Sequence, residues 1–205
     1  PGCSVNEGFN GSKSLKAWFD YLQPTDNPSA TPLVLQDANG AQGLPTAITV
    51  GSERDDTAQL LQKFFSTDYF RVYTSSDVIG LEISAALKNI IAIAAGICDG
   101  LAFGSNARAA LITRGLAEMT RLGIRLGARQ ETFFGLSGLG DLVLTCTGEL
   151  SRNRYVGIEL GKGRPLEAIL DSMNMVAEGI KTTQSVYDLV TGLGADMPIL
   201  EQVYE

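Results

Sequence analysis

Lys88 is the only charged residue between Ile83 and Ala95, in the run Ile83-Ser84-Ala85-Ala86-Leu87-Lys88-Asn89-Ile90-Ile91-Ala92-Ile93-Ala94-Ala95. Burying an ammonium in such a run costs solvation free energy, which favours the neutral amine. An amine held near that balance can take and return a proton. The competing reading is a lysine that lays its stem along an apolar helix and keeps its head in water. The chain contains no histidine. Ser-His-Asp and Cys-His catalysis and most zinc sites are therefore excluded, and acid–base work falls to Lys, Asp, Glu, Tyr or Cys. That makes Lys88 the first candidate.

Two further segments carry chemistry. Asp141 follows the glycine run Gly135-Leu136-Ser137-Gly138-Leu139-Gly140 and precedes Leu142-Val143-Leu144, a setting that buries a carboxylate. A buried carboxylate needs a cation or hydrogen-bond donors, and Lys88 is one candidate partner. A helix-capping aspartate is the other reading. Ser151-Arg152-Asn153-Arg154 offers hydroxyl, guanidinium and amide donors at the start of a predicted helix. Such a start with an arginine beside it suits a phosphate or carboxylate, although many arginine-rich starts are simply solvated. The glycine run itself reads GxxGxG. The dinucleotide fingerprint is GxGxxG between a strand and a helix, so the run is expected to be a tight turn for close helix packing.

Composition narrows the class. The chain has 205 residues, 44% of them hydrophobic, enough for one good core or one core plus a smaller unit. A net charge of −7 argues against a general nucleic-acid surface, so any anion site must be local. The apolar stretch Ile90–Ile97 is too short for a membrane span and is closed by Cys98-Asp99-Gly100. The opening Pro1-Gly2-Cys3 lacks a signal-peptide pattern. Cys3, Cys98 and Cys146 form no CxxC pair, which predicts reduced thiols and a cytoplasmic setting.

The elements that must hold these side chains can be read in order. Ser12–Tyr21 predicts a short helix and Leu33–Leu35 a short strand, among many breakers. Thr46–Val50 reads as a strand, Ser52 as the N-cap of a helix with Leu60, Leu61, Phe64 and Phe65 at helical spacing, and Tyr69–Tyr73 as a second strand. Helices are predicted at Val78–Ile97, Asn106–Leu126, Arg152–Leu160, Leu166–Ser172, Ala177–Leu193 and Ile199–Glu205. Arg114, Arg121 and Arg125 fall near one face and are expected to pair with Glu118 at the surface. The resulting fold class is mainly α: a small α/β remnant, residues 1–76, followed by an all-helical domain, residues 77–205.

Three long segments resemble the bacterial-type NAD(P)-dependent glycerol-3-phosphate dehydrogenases. They are VIGLEISAALKNIIAIAAGICDGLAFGSNARAALITRGLAEMTRLG (Val78–Gly123), GLSGLGDLVLTCTGELSRNR (Gly135–Arg154) and NMVAEGIKTTQSVYDL (Asn174–Leu189), with support from GLPTAITV (Gly43–Val50) and YFRVYTSSDVIG (Tyr69–Gly80). The resemblance implies the end of a Rossmann domain for NAD or NADP and a helical substrate domain. It implies interconversion of sn-glycerol 3-phosphate and dihydroxyacetone phosphate by hydride transfer. Lys88 matches the catalytic lysine and Asp141 the acid that positions it. Ser151, Arg152 and Asn153 match the segment that holds the small phosphate ester, and Asn89 and Thr145 the polar residues around the lysine. Arg152, Val176 and Glu178 match positions that touch the dinucleotide.

The departures are as informative. The family's opening strand and glycine-rich phosphate loop have no counterpart, and Leu35–Gln42 does not match the segment that normally precedes GLPTA. Residues 1–32 match nothing in the family, and the resemblance stops before the family's final helices. The chain alone is therefore expected to hold an incomplete NAD(P) site and to turn over little. Apolar surface left by the missing part of the sheet predicts self-association, a possible homo-oligomer. A non-catalytic helical module acting in packing or dimerisation stays open as the alternative.

Overall fold

The computed structural model describes residues 44–173 and 177–205. The expected helix at Ser12–Tyr21, the strand at Leu33–Leu35, and Cys3 and Val176 lie outside them. The chain divides into two units at Val78/Ile79.

The first unit is a right-sized β-α-β element. Strand β1 (Thr46–Gly51) and strand β2 (Phe70–Ser75) pair in parallel, in register from Thr46↔Phe70 to Gly51↔Ser75. Helix α1 (Asp55–Phe65) makes the connection that a parallel pair requires. Ile48, Val50 and Val72 point to one face and bury against Leu61, as period-two alternation dictates. Gln62 ties α1 to β2 by donating from Nε2 to the Val72 carbonyl, 2.7 Å. The four large apolar residues of α1 do not share one fate. Leu61 is buried and Phe65 packs on the core, whereas Leu60 and Phe64 are exposed on the adjoining stripe. Ser52 also departs from the expected role. The helix begins three residues later, its N-cap is Arg54, and the Ser52 hydroxyl instead accepts from the Arg54 N–H at 3.1 Å.

The second unit is all-helical among the described residues. Its centre is α2 (Val78–Gly100), buried over most of its length because it is apolar nearly all round. Its length and mean hydropathy of 1.7 would suit a membrane crossing, but 56% of that window is buried inside the protein. Ile90, Ile91 and Ala95 of α2 pack with Leu116, Met119 and Leu122 of α3 (Gly104–Arg125). Phe133 of α4 (Gln130–Phe134) lies on the bare backbone of α3 at Gly123 and is fully buried.

The segment Leu136–Gly140 is a single π-helical turn that runs straight into α5 (Asp141–Thr147). The glycine run is thus part of a helix and not the tight turn between helices that its composition suggests. Its close-packing role holds: a Cβ at Gly138 would overlap the Phe133 backbone. The remaining helices are α6 (Arg152–Gly161), α7 (Leu166–Asp171), α8 (Glu178–Leu193) and α9 (Pro198–Tyr204).

Residues of α3 hold the α8–α9 corner by its backbone. Arg125 donates to the carbonyls of Leu193 and Gly194, and Arg121 to that of Asp196. Glu118 is buried and its carboxylate accepts from the Ile199 N–H, at 3.1 and 3.2 Å to its two oxygens. These are helix caps supplied from a neighbouring element, a cation at the end of α8 and an anion at the start of α9. The expected surface pairing of Glu118 with the arginines gives way to this clasp because the termini supply partners of the right sign.

Candidate active site

Lys88 is not a snorkelling lysine. Its Nζ donates to Asp141 Oδ2 at 2.6 Å, and the two side chains are 11% and 3% exposed. Asp141 is the first residue of α5, and its N-cap is Gly140. Its carboxylate faces Lys88 and accepts from the Thr145 hydroxyl at 3.0 Å on the other oxygen, Oδ1. Thr145 reaches it because i and i+4 share a helix face. Burial pushes the Asp141 carboxyl up from its ordinary range, while the Lys88 ammonium and the Thr145 hydroxyl pull it back. The pair is thus held by geometry and by mutual charge compensation in a poorly solvated place.

Helix α6 is brought to α2 by glycines. Gly96 and Gly100 of α2 face Gly157 and Gly161 of α6, two GxxxG pairs in matching order, so the helices run parallel with backbones in contact. A Cβ at Gly96 would come 2.9 Å from Gly157 Cα and 2.8 Å from the Ile158 nitrogen. This crossing brings the first turn of α6 alongside the middle of α2, where Arg154 meets Gly96 and Gly157 meets Ile93. Ser151 is the N-cap, accepting from the Arg154 N–H at 3.3 Å. Asn153 is buried, and its Oδ1 accepts from the Gly179 N–H at 2.9 Å in the first turn of α8. A Cβ at Gly179 would meet that same Asn153 oxygen, Ile93 and the Asn89 carbonyl, so α2, α6 and α8 meet there. Asn89 itself donates weakly to the Ala85 carbonyl, 3.4 Å. Arg152 and Glu178 are exposed at the first residues of α6 and α8.

Four residues to which the sequence assigns no individual site role complete the neighbourhood. Arg154 donates from Nε and Nη2 to Asp99 Oδ2 at 2.9 and 2.7 Å, and Arg108 donates to Asp99 Oδ1 at 2.7 Å. Cys146 of α5 is fully buried, and burial with the Asp141 carboxylate pushes its thiol up to about 12. Arg154, Lys88 and Arg108 act on it in the opposite direction. One sulfur thus lies within electrostatic reach of both the Lys88–Asp141 pair and the arginines held by Asp99. The sequence signal for this assembly was the four-residue spacing of Gly96/Gly100 and Gly157/Gly161. Among the described residues there is no cluster of three His, Cys, Asp or Glu that could hold a metal ion.

The helical domain that follows the parallel β-α-β element thus carries a buried lysine–carboxylate pair between α2 and α5, and a helix start, that of α6, capped by Ser151. The family described as NAD-dependent glycerol-3-phosphate dehydrogenase C-terminus matches residues 77–205, and the chain belongs to that family. It is 65% identical over 164 residues to a glycerol-3-phosphate dehydrogenase [NAD(P)+] of Syntrophotalea carbinolica, covering 80% of this chain and 49% of that one. A similar protein of Desulfotalea psychrophila is 66% identical, over 80% of this chain and 48% of its own length. The crystal structure of the Coxiella burnetii glycerol-3-phosphate dehydrogenase superposes with a TM-score of 0.79 at 46% identity, covering 81% of this chain and 51% of that one. The chain therefore spans about half the length of the curated relatives it matches.

Proposed function

We propose that residues 77–205 are the substrate-binding and proton-transfer domain of a glycerol-3-phosphate dehydrogenase, which interconverts sn-glycerol 3-phosphate and dihydroxyacetone phosphate. The observation that carries this reading is the buried Lys88–Asp141 contact of 2.6 Å. With one N–H committed to Asp141, the neutral amine of Lys88 keeps a lone pair to accept the hydroxyl proton of the alcohol. In the reverse direction the ammonium donates to the forming alkoxide. Asp141 aims the amine and balances its charge, and Thr145 fixes the second carboxylate oxygen. Helix geometry turns the first N–H groups of α6 outward, and with the Arg152 guanidinium they would hold the phosphate. The phosphate lies away from the reacting carbon and supplies orientation.

NAD or NADP supplies the hydride acceptor when bound. Arg152 and Glu178, exposed at two helix starts, suit contacts with the edge of such a ligand. The two-stranded sheet of the described residues offers no glycine-rich phosphate loop. The chain alone is accordingly expected to bind NAD(P)H weakly and to reduce dihydroxyacetone phosphate near background.

Calorimetric titration with sn-glycerol 3-phosphate tests the reading. Binding by the chain that weakens about tenfold or more in Arg152→Ala and in Lys88→Ala is expected, the size of one charge-assisted contact. Equal affinity in the variants, or brisk turnover by the chain alone, would contradict it.

A further inference from the structure

Lys88 and Asp99 are eleven residues apart (99 − 88) on α2, about three turns, so they lie on one face of that helix some ~16 Å apart. The amine sits at one end of this stripe. At the other end the Asp99 carboxylate, itself largely buried, takes both guanidinium N–H groups of Arg154 on one oxygen and Arg108 on the other. Three consecutive residues of α6 are thereby assigned different jobs. Arg154 reaches back to α2, Asn153 reaches to Gly179 of α8, and Arg152 is exposed.

We propose that Asp99 is a positioning residue. Acting through Arg154, it fixes the rotation of the first turn of α6, and hence the placement of the phosphate-receiving donors relative to Lys88. The glycine crossing sets how close α6 comes to α2, but bare backbones can still turn and slide. A two-point, charge-assisted contact removes that freedom. Because amine and clamp stand on one helix, the span between proton-transfer group and phosphate donors is referred to α2 through the glycine crossing and this contact together. This inference rests on the reading of the α6 start as the phosphate receptor.

The test compares the chain with Asp99→Asn, Arg154→Gln, the double variant and Arg108→Gln. Amide hydrogen exchange is followed at Arg154, Tyr155 and Gly179, and affinity is measured for sn-glycerol 3-phosphate and for inorganic phosphate. Asp99→Asn and Arg154→Gln are each expected to speed exchange at Arg154 and Tyr155, whose N–H groups Ser151 holds, about tenfold and to weaken both ligands about tenfold, with amides in the second half of α3 unchanged. The double variant should be within about twofold of the worse single, since both remove one contact. Arg108→Gln, which leaves the Asp99–Arg154 contact in place, should stay within about twofold of the parent. Losses that multiply in the double variant, or an Arg108→Gln effect equal to that of Asp99→Asn, would overturn the proposal. Should Asp99→Asn fail to fold, Arg154→Lys keeps the charge without the two-point fork. It is expected to show faster exchange at Arg154 and Tyr155, and unchanged exchange there would equally overturn the idea. A parent chain that binds neither ligand would sink the phosphate-receptor reading, and the exchange arm would still decide whether Asp99 orders α6.

Discussion

Replacing Gly96 by alanine sets two effects of opposite sign against each other. Alanine is the better helix former by about 1 kcal/mol, and Gly96 lies well inside α2. Against that, the new Cβ would stand 2.8 Å from the Ile158 nitrogen and 2.9 Å from Gly157 Cα, and closer still to the Arg154 carbonyl. All three neighbours are backbone, so no side chain can rotate away and α6 must move bodily. Overpacking of this kind costs roughly 1–3 kcal/mol even where side chains can yield, so the upper end applies here. The net expectation for Gly96→Ala is a loss of about 2 kcal/mol, read as a midpoint lowered by about 5–10 °C in thermal unfolding followed by circular dichroism. Gly192→Ala is the matched control. It is helical and exposed, and its Cβ would meet nothing within 4 Å, so a gain of up to about 1 kcal/mol is expected. Equal shifts for the two variants, or a Gly96→Ala protein as stable as its parent, would refute the claim that α2 and α6 touch through their backbones.

Three other substitutions probe the buried polar groups. Lys88→Met leaves Asp141 buried without its cation, and a loss of about 3–5 kcal/mol at neutral pH is expected in urea unfolding, shrinking in acid as the carboxyl takes up a proton. Burial pushes the Glu118 carboxyl up from its ordinary range, against the pull of the Ile199 and Leu200 N–H groups and of Arg121. The folded state therefore holds that proton more tightly than the unfolded one. Its contribution is fully present below the ordinary glutamate range near ~4.3 and is lost as pH rises through the raised folded value. Glu118→Gln, which keeps an oxygen for the Ile199 N–H, should flatten that part of the stability–pH curve and leave the portion due to Asp141, whose shift has the same direction. Asn153→Leu orphans the Gly179 N–H and is expected to cost about 1–3 kcal/mol, with the fastest-growing hydrogen exchange at the start of α8.

Much of the fold was legible because it rests on local periodicity. The β-branched run at Thr46–Val50 and the three-and-four spacing along α1 and α3 identify their elements without reference to anything distant. What the sequence hid was set partly by close neighbours and partly by partners far along the chain. Ser52 has the chemistry of an N-cap, yet Asp55 and Asp56 occupy the first turn and the serine bonds two residues short of the helix. Glu118, Arg121 and Arg125 look like a solvated charged face on α3. Their partners are backbone groups some 70 to 80 residues later, which no local pattern can announce. The glycine run misled in a similar way: three glycines in six residues suggest a turn, but the Phe133 backbone lies where a Cβ would be, and the chain continues as helix.

The candidate site divides along the same line. Lys88 and Asp141 each stood out alone, since a charge in an apolar run must be compensated, and compensation over a separation of 53 residues is what the 2.6 Å contact supplies. Arg154 stood out only as one donor of the Ser151–Arg154 segment and Asp99 not as a partner for it, because an arginine at a helix start and an aspartate near a helix end are ordinary on any surface. Their meaning appears only once Gly96 and Gly100 let α6 descend onto α2. At that distance a guanidinium on one helix must either find a carboxylate or lose its solvent uncompensated, and Asp99 is where Arg154 finds it. Close backbone approach and the ion pair are therefore one device. Removing the glycines would separate the helices and let Arg154 return to water, and removing Asp99 would leave the helices close with a buried guanidinium deprived of its partner. The two lesions should accordingly differ in salt dependence: destabilisation in Asp99→Asn is expected to shrink as salt screens the Arg108–Arg154 repulsion, whereas that in Gly96→Ala is steric and should not respond.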